Sequence, residues 1–281
     1  MIYWIISAIL SAIWDNIYKK SVMLSKWKIS DKYYQFIWNL FMFSILPISY
    51  IFYSFEIIDF KILILLIITS SINIIAELFE QYAYKNEKMS ILIPYWEFKS
   101  IFAIVLWFFI FWDSSIITFI LAIIAWSILV IGSINFKNIK FNKYCLALMI
   151  SSLMQAIKFI IYWFILISIS ELSIMFYSSF IKTIILLIII IYAKEIYNYK
   201  KINKKMSSYI LLENIVWISV TFITLFLIKE LWIVQTVLIW MIYLAISMLI
   251  AFIIFKNKPT KKEFFITISI TILIWIWTLL S

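Results

Sequence analysis

The sequence predicts an all-α integral membrane protein, with ten transmembrane helices arranged as two inverted five-helix repeats. Three observations carry that expectation. Hydrophobic residues fill 66% of the 281 positions and charged residues only 14%, against about half and about 25% in soluble domains. Apolar runs of about 20 residues, the length needed to cross a bilayer, recur along the whole chain. The lysines between those runs fall almost entirely in alternate loops.

The runs lie roughly at 2–19, 33–54, 60–82, 89–111, 116–136, 144–167, 173–194, 207–228, 231–255 and 262–280. The first, "IYWIISAILSAIW", leads straight into further membrane sequence and reads as a retained helix rather than a cleaved signal. Connections are short and polar, as in "SKWKISDK", "YKNEKM" and "FKNKPTKKE". A membrane barrel alternates polar and apolar residues, and "SIITFILAIIA" does not.

All 24 basic residues are lysine. Nineteen of them follow spans 1, 3, 5, 7 and 9, whereas the opposite side holds only Lys61 and Lys229. Positive loops stay in the cytoplasm, so both termini are expected outside. The bias suits a bacterial cytoplasmic membrane and anionic lipid better than nucleic acid, despite the net charge of +10. A shift of about 143 residues lays one half on the other, giving repeats over 1–138 and 139–281. Five spans per half is an odd number, so the halves lie inverted. That plan is common in secondary transporters, whose site lies near the midplane between the repeats.

The composition also excludes chemistry. There is no histidine, the commonest general base and metal ligand. Cys145 stands alone, so no internal disulfide or cysteine zinc site forms. No DxxxD or HExxH spacing occurs. We therefore expect no enzyme, catalytic residue, metal or cofactor. Three other classes stay open beside small-molecule transport: lipid or lipid-linked sugar flippase, scramblase, and non-transporting assembly protein. Monomer and homodimer are equally open.

Charge in hydrocarbon costs roughly 2.5–3.5 kcal/mol on insertion scales, so such residues face a cavity or each other. Here they are Asp15, Glu77, Glu80, Glu97, Lys99, Lys158, Lys182 and Glu213. Spans 2, 5, 9 and 10 carry none, which directs spans 1, 3, 4, 6, 7 and 8 inward. Asn73, Glu77, Glu80 and Tyr84 share one helix face by spacing. The alternative for Glu80 and Tyr84 is contact with lipid headgroups.

Asp15, with Asn16 beside it, either meets Lys158 across the repeat or pairs with Lys19 at its own helix end. Glu97 follows Pro94, which frees backbone carbonyls, and is a candidate cation or proton site. Two positions away, Lys99 should not pair with it. Gln155 can hydrogen-bond substrate, Lys182 can partner a glutamate, and Glu213 lies early in span 8. Asp15, Asn16, Asn73, Glu77, Glu97, Gln155, Lys158 and Glu213 are the candidate substrate-binding or proton-coupling residues. In the expected mechanism, Glu77 or Glu97 exchanges the proton while Lys158 offsets charge or holds an anionic substrate group.

Several stretches carry a family resemblance: "ILSAIWDNIYKKS", the segment from "YAYKNEKMSILIPYWEFK" to "SILVIGSI", and "FLIKELWIVQTVLIWMIYLAISMLIAFIIFKNKPTKKEFF". In order and spacing, end to end, they resemble the EamA-like ten-helix branch of the drug/metabolite transporter superfamily. Pro94 and Asp113 match its proline-containing fourth helix closed by an acidic residue. The resemblance implies secondary transport of small metabolites through a central cavity, without catalytic residues. Members usually have cytoplasmic termini, whereas the lysines here argue the reverse.

Members are also glycine-rich, and this chain has one glycine and 14 tryptophans. Trp112, Trp126, Trp232, Trp240 and Trp275 stand where glycine is expected. One reading is that these are UGA codons the gene means as glycine, which a codon reading settles. The other is aromatic belts, which suit Trp4 and Trp27 but not mid-span Trp126. Trp107, like Trp112, stands where a tightly packed helix wants a small residue.

Overall fold

The computed structural model describes residues 28–51, 56–86, 98–111 and 143–255, with isolated positions in 6–25, in 120–127 and at 269; for 231–255 it describes the backbone alone. The described residues form helices and turns, with no strand among them. The helices are α1 (Asp31–Ile45), α2 (Phe60–Asn86), α3 (Phe98–Phe111), α4 (Lys143–Leu166), α5 (Glu171–Tyr192) and α6 (Lys204–Phe255). The described positions between 6 and 25 are helical as well. Four segments are long and apolar enough to cross a membrane: Phe60–Asn86, Lys143–Leu166, Glu171–Tyr192 and Lys204–Glu230.

Local chemistry sets the helix ends. The Ser30 side chain accepts from the Tyr33 N–H at 3.2 Å and caps α1. Asp59 Oδ1 does the same for α2 through Ile62 N–H at 2.7 Å. Ser170 caps α5, with Glu171 in the favourable first turn. Where Pro47 lacks an amide hydrogen, α1 tightens into a 3-10 turn over Leu46–Ile51. α5 ends on Lys194 at φ 57, a left-handed position that usually takes glycine. The amides of Lys194 and Glu195 bond back to Ile191 and Ile190.

The polarity is inverted relative to a soluble protein. Ile64, Ile67, Ile68 and Ile75 of α2, and Ile184 and Ile188 of α5, face outward. Ser70, Asn73, Glu80, Ser151, Ser152, Lys158 and Glu213 are buried. An apolar shell around a polar interior suits hydrocarbon solvent. α2 packs antiparallel along α4, with Ala83 against Cys145 and Leu148 at one end and Asn73 beside Lys158 further along. Alanine and serine stand at the buried positions of both helices, doing the work of close approach that glycine does elsewhere.

Loops sort by end. At one end Lys85 pairs with Asp31, and the Ser30 hydroxyl bonds Glu195. At the other, Glu56 Oε2 accepts from the Ser170 N–H and hydroxyl at 2.7 and 2.8 Å, and Lys229 lies 3.4 Å from Glu171. Serine hydrogen bonds outweigh the desolvation of Glu56 and hold its carboxyl below the ordinary value of 4.5.

The structure differs from the expected span boundaries at 229–230. The sequence places a turn there, but α6 runs on unbroken for 52 residues. "LIKELW" contains no glycine or proline, and all its residues accept helix. From Lys204 to Lys229 the helix covers about 38 Å, one membrane crossing at 1.5 Å per residue. Trp107 also departs from expectation. It is fully buried and packs edge-to-face on Trp163 at 5.1 Å, so this position holds a large ring. Trp112, Trp126 and Trp275 lie outside the described residues, as do the side chains of Trp232 and Trp240.

Candidate functional site

A cavity of about 150 Å³ lies inside the bundle, between α1, α2, α3, α4, α6 and the segment around Trp14. It is comparable to a cavity that holds one benzene-sized molecule. Of the eight sequence candidates, Asn73, Glu77, Gln155, Lys158 and Glu213 line it. Asp15, Asn16 and Glu97 lie outside the described residues, and with Asp15 and Lys19 go both pairings expected for Asp15.

One wall is basic and fully bonded. Lys158 on α4 donates to Asn73 Oδ1 at 3.0 Å and to Gln155 Oε1. Asn73 Nδ2 in turn donates to Glu77 Oε1 at 2.5 Å. The same Glu77 oxygen lies 3.6 Å from Lys182 Nζ on α5. Asn73 and Glu77 are four apart on α2, which sets them one above the other on a single face. Lys99 of α3 joins this wall: its Nζ and that of Lys158 sit 5.9 and 4.8 Å from the Phe159 ring, within cation–π range. Glu80, 3% exposed, lines the cavity and does not reach outward to headgroups. Tyr84, half-buried, meets the Tyr18 ring edge-on at 5.9 Å.

The other wall is acidic and aromatic. Glu213 on α6 is 1% exposed. The Tyr34 hydroxyl donates to its Oε2 at 2.7 Å and lies 2.7 Å from the Ser21 hydroxyl. Glu213 makes no ion pair among the described residues. Trp14 lies between Tyr18, stacked at 4.8 Å, and Trp217 at 4.3 Å, and Trp38 meets Trp217 edge-on at 6.2 Å. Six buried polar atoms of cavity-lining residues have no hydrogen-bond partner of good geometry among the described residues: Glu213 Oε1, Gln35 Oε1, Gln81 Oε1, Trp14 Nε1, Trp38 Nε1 and Thr221 Oγ1.

One expectation about facing needs correction. Span 2 carries no charge and was expected outside the interior group, yet Tyr34, Gln35 and Trp38 of α1 line the cavity. The physical reason is that uncharged amides, phenols and indoles need buried partners too. Their signal in sequence is the polar pair Gln35 and Asn39, four apart within an apolar run. Span 7 was expected to face inward. It reaches the site through Lys182, which pairs with Glu77 and lies 5.6 Å over the Trp38 ring without lining the cavity.

Counting Lys182, three lysines (Lys99, Lys158, Lys182) meet three glutamates (Glu77, Glu80, Glu213) around the cavity. No group of three or more acidic, cysteine or histidine residues placed to hold a metal occurs among the described residues. The site can bind and orient a small polar solute through charge and hydrogen bonds. No family model matches the chain, and no curated protein matches it either.

Proposed function

We propose that the chain is a secondary active transporter that carries a small metabolite across a bacterial cytoplasmic membrane by alternating access. The observation that carries this reading is a cavity of about 150 Å³, lined by buried glutamates and lysines, inside a bundle whose outer faces are apolar. Burying such charge in hydrocarbon is costly, and a cavity for a polar solute gives it a use that packing alone does not.

The proposed architecture is ten helices in two inverted repeats, 1–138 and 139–281, akin to the EamA-like branch. Sorting of the loops supports it: those after spans 1, 3 and 7 meet at one end, and those after spans 2, 6 and 8 at the other. In this reading the lysine-rich end is cytoplasmic and the termini are outside. The arrangement requires a turn after Lys229, where the helix is continuous.

Coupling runs through a carboxylate within a membrane span that takes up and releases a proton, Glu77 or Glu97, with Lys158 balancing charge or receiving an anionic group. The test is a solute screen in proteoliposomes under an imposed pH gradient, covering amino acids, choline-like amines and sugars. Glu77→Gln or Glu97→Gln should remove the dependence on the gradient. If both variants transport with unchanged pH dependence, coupling through these residues is wrong.

A further inference from the structure

The two ends of the bundle carry the same four-residue arrangement. At the lysine-rich end, Ser30 caps α1, its hydroxyl bonds Glu195, and Asp31 in the first turn pairs with Lys85. At the opposite end, Ser170 caps α5, its hydroxyl bonds Glu56 at 2.8 Å, and Glu171 in the first turn lies 3.4 Å from Lys229. The shift of about 143 residues brings Ser30, Asp31, Glu56 and Lys85 to within four positions of Ser170, Glu171, Glu195 and Lys229. α1 packs along α5. Each helix is therefore fastened at its start to the segment that follows the end of the other, so the antiparallel pair is clasped at both ends.

The contacts divide by the part of the chain they join. Both ion pairs stay within one half, 1–138 or 139–281, and tie span 2 to span 3 and span 7 to span 8. Both serine–glutamate bonds cross between the halves. All four serine and glutamate residues are half-buried, so parted partners regain water, and a hydrogen bond exchanged for water is cheap to break. We infer that the two serine–glutamate contacts are alternate clasps. Parting Ser30 from Glu195 opens the cavity toward the lysine-rich end, and parting Ser170 from Glu56 opens it toward the opposite end. α1 carries Tyr34, Gln35 and Trp38 on the cavity wall, so tilting it away from α5 moves that wall. With each half rigid, a rocking motion that separates one clasp presses the other together. This deepens the transport reading and rests on it for its use, while the opening itself can be read without transport.

The test is labelling of Val220→Cys, on the cavity wall, by a membrane-impermeant maleimide. The full-length protein, with Cys145→Ser to remove the native thiol, is held in sealed inside-out and right-side-out membrane vesicles. Lys200→Cys, exposed in the loop after α5, identifies the lysine-rich side. Labelling rate follows the fraction of molecules open to that side. Glu195→Ala should accelerate it at least fivefold from the lysine-rich side, and Glu56→Ala at least fivefold from the opposite side. Where an alanine variant does not fold, Glu195→Gln or Glu56→Gln keeps the shape and should act in the same direction, at least twofold. Acceleration from the same side in both variants, from both sides in one, from the wrong side in either, or from neither overturns the clasps. Side-specific labelling without transport of any solute leaves the clasps and sinks the transporter. Transport of some solute without side-specific labelling does the reverse.

Discussion

The two walls of the cavity bury similar charge and handle it differently. On the basic wall, Lys182, Glu77, Asn73, Lys158 and Gln155 form a continuous chain of contacts, and no buried polar atom of these residues is left without a partner. On the acidic wall, Tyr34 donates to one Glu213 oxygen, Ser21 and Trp38 stand beside the carboxyl, and the second oxygen has no partner of good geometry among the described residues. The first wall is complete in the protein alone. The second leaves buried polar atoms without a partner of good geometry among the described residues. A buried charge is therefore not by itself a functional signal. The informative residue is the one whose hydrogen-bonding capacity the fold leaves unfilled.

The most severe way to break this contrast is to strip a partner from the basic wall. Lys182→Met leaves Glu77 with Asn73 alone. Removing one member of a buried pair costs about 3–5 kcal/mol. Because Glu77 is 20% exposed and the pair is 3.6 Å apart, we expect about 2–3 kcal/mol here. Adding Glu77→Gln should recover most of that loss in thermal unfolding of the detergent-solubilised protein. If the double variant is no more stable than Lys182→Met, the pair does not hold the wall.

A smaller effect is expected on the acidic wall. Tyr34→Phe removes the hydroxyl that donates to Glu213 at 2.7 Å, and hydrogen bonds to charged groups are worth about 1.5–3 kcal/mol. We expect a loss of about 1.5 kcal/mol, the low end of that range, since Ser21 and Trp38 remain beside the carboxyl. Combined with Lys182→Met, the two losses should add within about 0.5 kcal/mol if the walls are energetically separate. A larger interaction energy would mean that Trp38, which touches both Lys182 and Trp217, couples them.

Much of the basic wall is legible in the sequence, because helical spacing alone puts Asn73, Glu77 and Glu80 on one face. A lysine in the middle of an apolar run, such as Lys158 or Lys182, announces an interior position for the same reason that it is costly. The acidic wall is less legible. Glu213 is visible as a charge, but its partner Tyr34 lies 179 positions away on a span without charges. Only tertiary packing joins them. The continuous α6 was hidden for a different reason. Lys229 and Glu230 look like a polar loop, yet Lys229 is met by Glu171 across the bundle, and helix propensity meets no breaker there.

The smallest predicted effect guards the comparison against a false reading. Glu56 lines neither wall and sits at the end where Ser170 and Ser173 hold its carboxylate below 4.5. A depressed folded value means that Glu56 adds stability above its unfolded value, and that this is lost as pH falls through the folded one. The unfolded chain binds the extra proton in that window, so stability drops on acidification below about pH 4.5. Glu56 is partly solvated, which limits the loss to under about 1 kcal/mol. Glu56→Gln should lower stability at neutral pH by that same small amount, match the parent at low pH, and so flatten the acid limb of the stability profile. If the acid limb survives in Glu56→Gln, the titrating group lies elsewhere, and the carboxylates of the two walls are the next to vary.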